Sequence, residues 1–121
     1  MSPDGPKNII IERLNFDDNQ IIDYEKLIHQ HRKDIRENDL KILALKNELY
    51  LLLIKKEVES SIDSLTTEIG KIQKNIEKIH FSHFQDIKAL CNQEQMDEFE
   101  ILSKELASIF NHKKHLNHPP K

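Results

Sequence analysis

The chain has 121 residues, of which 37% are hydrophobic and 32% charged, with two Gly, no Trp and a net charge of −3. That length holds one domain, and the composition suits long amphipathic helices better than a thick globular core. Acids and bases interleave through both halves, which argues against nucleic acid as the main partner, because phosphate binding needs a basic surface.

In chain order, residues 1–6 carry two Pro and one Gly and read as a disordered N-terminal segment. Residues 7–14 (KNIIIERL) are expected to form a short helix, since Pro6 suits a helix start. Three consecutive Ile are also compatible with a strand, but the chain offers no second strand to pair with it.

Asp17 then stands as an N-cap, with Gln20 three residues on to reach back to the cap's N–H. Phe16 and Ile21 occupy the positions of a hydrophobic staple. From there to about Lys56 the sequence has neither Pro nor Gly. Two sevenfold series run along it: Ile21, Ile28, Ile35, Ile42, Leu49 and Tyr24, His31, Asn38, Leu45, Leu52. That spacing is the stripe of a helix lying along another helix, here a rod roughly 60 Å long.

A turn is expected at about 57–60, with Ser60 and Asp63 at capping-box spacing. One continuous helix through this point is the alternative. A new series follows in Ile62, Ile69, Ile76, His83 and Leu90, interleaved with Leu65, Ile72, Ile79 and Asp86. Asn92 and Gln95 repeat the cap spacing, and Met96, Phe99, Leu102, Leu106 and Ile109 or Phe110 mark the face of a fourth helix. Residues 111–121, rich in His and Lys, read as a flexible tail.

The fold expected is therefore all-α: an elongated antiparallel helical hairpin with short flanking N- and C-terminal helices over residues 7–110. No apolar run reaches the ~18 residues of a membrane span. The opening of the chain leaves room for an export signal or anchor upstream. The lone Cys91 excludes an intrachain disulfide framework without fixing the compartment. Just before a helix start an exposed thiol would be acidified, whereas unpaired Cys is usually buried, the reading preferred here.

The two cap segments, Leu14-Asn15-Phe16-Asp17-Asp18-Asn19-Gln20 and Leu90-Cys91-Asn92-Gln93-Glu94-Gln95, resemble degenerate copies of the LTxxQ signature. That signature is typical of the Spy/CpxP family of bacterial periplasmic proteins and the related heavy-metal sensors. In both copies a residue that also caps, Asp17 or Asn92, replaces the Thr, and the Gln is kept. The resemblance covers residues 8–110. It implies a hook-shaped homodimer in the cell envelope that acts as an ATP-independent chaperone, stress regulator or metal sensor. Unfolded-protein clients or a membrane-bound regulator would be its partners. The full-length protein would be periplasmic and membrane-anchored. The family's metal ligands vary, so none transfers by position.

A fold-back at 57–60 would pair Leu52 with Leu65, Leu45 with Ile72, and Asn38 with Ile79. It would set His31 against Asp86, with His83 facing Ile35. Imidazole and carboxylate on two rigid helices suit a charge-assisted hydrogen bond or a metal site. Glu77, His80 and His83 recur at three-residue steps, and Glu-x-x-His is a ligand spacing seen in helical bundles. The candidate metal ligands are thus His31, His83, Asp86, His80 and Glu77, for zinc, nickel, cobalt or copper.

A hydrated polar break in the helix seam explains His31, His83 and Asp86 more simply, since polar seam residues set register. His29 and His80 read as solvent-facing before they read as ligands. His112, His115 and His118 form a tract that would bind metal loosely. Phe81, Phe84, Ile87 and Phe99 are packing residues first, and a client surface only if exposed as a patch. No Gly-rich phosphate loop, nucleophile elbow or HExxH is present, so no enzyme is expected. The function expected is sensing or buffering of heavy-metal or envelope stress. A coiled-coil adaptor and a metal-independent chaperone are the alternatives.

Overall fold

The computed structural model describes residues 5–56 and 59–116, with side chains described through residue 108. Four helices carry the chain: α1 (Gly5–Leu14), α2 (Asp18–Leu51), α3 (Glu59–Leu90) and α4 (Met96–Leu116). Among the described residues no strand forms, so the Ile9-Ile10-Ile11 run is helical. Helix α1 starts at Gly5, with Pro6 in its first turn, earlier than the disordered opening expected through residue 6. Helix α4 continues to Leu116, past the boundary expected at 110. The side chains of the tail histidines lie outside the described residues.

Contacts divide the chain into two units: residues 1–23 with 88–121, and residues 24–87. In the first unit α1 packs on α4 and buries Ile10, Leu14, Phe16, Phe99 and Leu102. Burying each of these large side chains contributes about 1.5–3 kcal/mol. Arg13 spans the pair, donating from Nε to Glu98 (2.7 Å) and from Nη1 to Glu105 (2.7 Å). The two carboxylates raise its pKa further.

Helix α1 ends because Asn15 turns left-handed, with φ 52°. Its N–H then bonds the Glu12 carbonyl (3.3 Å), and the Phe16 N–H bonds that of Ile11 (3.2 Å). This paired closure satisfies carbonyls the helix would otherwise leave open, and Asn tolerates the conformation well among residues with a side chain.

The two cap segments close on each other. The Asp17 carboxylate accepts from the Gln20 N–H (2.8 Å), and the Gln20 amide oxygen accepts from the Asp17 N–H (2.9 Å). Asn92 and Gln95 form the same reciprocal box through a short 3-10 turn, Gln93–Gln95. The two Gln amides also bond each other in both directions, at 2.7 and 2.9 Å. Gln20 donates its second hydrogen to the Leu90 carbonyl (2.8 Å), and Gln95 donates to that of Leu14 (2.9 Å). Each Gln thus starts its own helix and caps the end of the helix before the other motif. All four bonding positions of the Gln20 amide are used.

In the second unit α2 and α3 are the two arms of the hairpin. They bury Tyr24, Asn38 and Ile42 from one arm and Ile76 and Ile87 from the other. The register lies one helical turn away from that expected. Asn38 accepts a hydrogen bond from Asn75 (3.1 Å) rather than facing Ile79. The reason is local: α2 stops at Leu51 and residues Leu52–Ile54 tighten into a 3-10 turn. The chain therefore leaves α2 before 57–60, and the α3 residues that meet Asn38 and His31 lie nearer the N-terminus of α3 than expected. Ser60, expected as a cap, already lies inside α3. Residues 57 and 58 of the expected turn lie outside the described residues.

Asn38 also donates to the Asp34 carbonyl of its own helix (2.8 Å). An Asn38→Leu substitution is expected to leave stability within about 1 kcal/mol of the parent or to raise it, because exposed Asn75 can turn to water. Urea unfolding of the two chains checks this. A loss above about 2 kcal/mol would mark the Asn pair as a stabilising contact rather than a register marker.

Candidate functional site: an imidazole cluster in the hairpin seam

The shifted register gathers His31, His80 and His83 in one place. Helix α2 supplies His31 from its seam stripe, and α3 supplies the other two from adjacent turns. The His31 Nε2 lies 2.9 Å from His80 Nδ1, where one ring carries the proton and the other accepts it. The His83 ring stacks on His31, with centroids 4.2 Å apart and planes 16° from parallel. Tyr24 follows His83 in the stack at 6.4 Å, and Phe84 meets the edge of His83. These aromatic neighbours pack against the imidazole rings.

Burial sets the charge of the cluster. His31 is lowered to about 4, first by desolvation and then by His80, while Asp34 pulls the other way. His83 is also lowered to about 4, by desolvation and then by His31 and His80. At neutral pH both rings are uncharged and carry free lone pairs, the state in which imidazole binds metal. Burial likewise raises Tyr24. It also raises the Cys91 thiol, a half-buried group that is less acidic than a free thiol.

Beside the cluster runs a cleft of about 300 Å³ whose lining includes His31, Asp34, Asn75, His83 and Asp86. Asp86, expected opposite His31, lines this same cleft and is exposed. Glu77 is exposed and lies outside the lining. His80, read as solvent-facing, is half-buried and bonded, whereas His29 is exposed as expected. Among the described residues, no group of three or more His, Cys, Asp or Glu is already arranged to hold a metal ion. His31 and His80 offer two nitrogens. A tetrahedral ion with metal–nitrogen bonds of 2.0–2.1 Å would hold them about 3.3 Å apart. That is a few tenths of an ångström beyond their present separation.

Sequence reasoning missed Gln20 and Gln95 as partners of each other and His80 as the partner of His31. The first had a signal in the repeat of the cap segments. The second needed the register.

Fold and site together define an all-helical hairpin protein with an imidazole cluster across its seam. Comparison with family models, with curated proteins and with solved structures finds no match to this chain.

Proposed function

We propose that the protein binds a divalent transition metal between α2 and α3 and serves to sense or buffer heavy metal in the bacterial envelope. It acts by binding, not by turnover. The observation that carries this is the His31–His80 contact, two imidazoles from opposite arms whose ring nitrogens stand 2.9 Å apart. A metal ion enters between those nitrogens with little movement of either ring and pins the arms together. His83 holds His31 by stacking, and Asp34 or Asp86 at the cleft can complete the ligand set with water. The envelope location, an anchor in the full-length protein and a membrane-bound regulator as receiver of the signal rest on the likeness of the two cap segments to LTxxQ.

Calorimetric titration with zinc, nickel, cobalt and copper tests the reading. The full chain should carry His112→Ala, His115→Ala and His118→Ala, so that the tail contributes nothing. One metal per chain is expected, with affinity reduced at least tenfold by His31→Ala/His80→Ala. Uptake that vanishes with the tail substitutions alone, or ignores the pair, would overturn it.

A second reading is favoured by the hairpin's tip. Leu53 and Ile54 are 82% and 83% exposed, next to exposed Tyr50 and Leu51. Such an apolar tip fits capture of partly unfolded polypeptide. Suppression of client aggregation by metal-free protein, lost in Leu53→Ser/Ile54→Ser, would support it.

A further inference from the structure

Where α2 gives way to the 3-10 turn, the chain exposes apolar side chains that belong to neither sevenfold series. By the 3.6-residue period, Tyr50 and Leu51 fall on the flank of α2 away from the seam residues Leu45, Leu49 and Leu52, and both are exposed. Leu53 and Ile54 follow, the most exposed large apolar side chains among the described residues. Neither lines the cleft that opens beside them, so the pair projects instead of walling a groove. A polypeptide is held by a groove that flanks it, whereas a bilayer interface deforms around a projecting apolar side chain.

Charge points the same way. Residues 49–56 contain Lys55 and Lys56 and no acid, within a chain of net charge −3, and the run ends at Glu57. Both lysines are exposed, as is Lys46 one turn before Tyr50. Lysine stems can lie along apolar surface while their ammonium groups reach headgroup phosphates, and an amphipathic tyrosine ring suits the same depth. The cleft beside the tip, about 530 Å³, adds donors. Its lining includes Lys55, Ser60, Ser61 and Ser64, with Glu48 its single acid. Ammonium and hydroxyl groups are what a lipid phosphate accepts from.

We infer that the hairpin tip inserts into the headgroup region of an anionic bilayer, Leu53 and Ile54 at the acyl boundary and Lys55 and Lys56 on the phosphates. The contact belongs to the hairpin itself. It uses no residue of the imidazole cluster, no metal and no upstream anchor, so its failure and the failure of the metal reading are distinguishable.

Flotation of the full chain in EDTA tests it, with vesicles of equal parts phosphatidylglycerol and phosphatidylcholine against pure phosphatidylcholine. Binding to the anionic vesicles is expected, weakened roughly tenfold by Leu53→Ser/Ile54→Ser and to a similar degree by Lys55→Gln/Lys56→Gln. All four positions are exposed, and circular dichroism checks that each variant is as helical as the parent. Because the chain has no Trp, a single introduced indole reports depth. Leu53→Trp should shift to the blue on the anionic vesicles and be quenched by brominated lipid. Phe81→Trp, at an exposed apolar position well inside α3, should do neither.

No binding to either vesicle would overturn the proposal, as would binding indifferent to the tip substitutions or equal quenching at both indoles. Aggregation suppression lost in Leu53→Ser/Ile54→Ser, by a chain that ignores vesicles, would give the tip to unfolded polypeptide instead.

Discussion

Replacing Gln95 with Ala is expected to destabilise the protein by about 3 kcal/mol, more than an ordinary helix cap is worth. Gln95 is 9% exposed, and its amide ties together the end of α1, the start of α2 and the start of α4. Its oxygen accepts from the Asn92 N–H (2.8 Å), which starts α4, and its nitrogen closes α1 at Leu14. Its nitrogen also reaches the Asn15 carbonyl (3.3 Å), and the other bonds go to Gln20. Truncation therefore takes a partner from the Asn92 N–H, from the Leu14 and Asn15 carbonyls and from the half-buried Gln20 amide. Each unsatisfied group costs about 1–3 kcal/mol where water cannot reach it.

Gln95→Glu separates the roles. A carboxylate can still accept from Asn92 but cannot donate to Leu14, so an intermediate loss is expected. Denaturant unfolding gives the totals. Hydrogen exchange at the amides of Asp17 and Asn92 reports whether both boxes loosen together. A loss below about 1 kcal/mol for Gln95→Ala would mean that water substitutes for the side chain.

Acid should weaken the hairpin through its imidazoles. His31 and His83 titrate near 4 in the folded chain, below the ordinary value of 6.5. Between those two values the unfolded chain binds more protons than the folded one. Stability is therefore full above about pH 6.5 and falls as the pH drops toward 4, with no further loss from these rings below that. Both rings keep part of their hydration, so the combined loss is on the order of 2–3 kcal/mol.

Carboxylates begin to protonate at the lower end of the window, so the comparison with His31→Leu/His83→Leu isolates the imidazoles. Thermal unfolding from pH 7.5 to 4.5 should show the parent losing stability relative to the variant as the pH falls, because only the parent has these imidazoles to protonate. Parallel curves would mean that the rings titrate alike in the folded and unfolded chains. Metal bound at His31 and His80 should move the parent's curve to lower pH, because the ion competes with the proton for the same lone pairs.

The helices and the capped starts of α2 and α4 were legible in the sequence because their causes are local. Asp17 with Gln20, and Asn92 with Gln95, cap the helices they precede by reaching three residues along the chain. Sevenfold stripes likewise announce a pair of long helices, since apolar side chains at those steps share one face. The pairing of the seam was not legible to within a turn. It depends on where the chain reverses, and that was decided by the tightening of Leu52–Ile54, a stretch with no Gly or Pro to mark it.

What the sequence by itself determined is an all-helical chain, its helix starts and the stripes that would be buried. Only the tertiary structure decided what those stripes meet: His31 on His80 and His83, Asn38 on Asn75, and the amide of Gln20 on that of Gln95. Helical order is written in contacts three and four residues apart. Those side-chain meetings span 37 to 75 residues, so a reversal shifted by one turn changes which side chains meet, as where His31 meets His80 and His83.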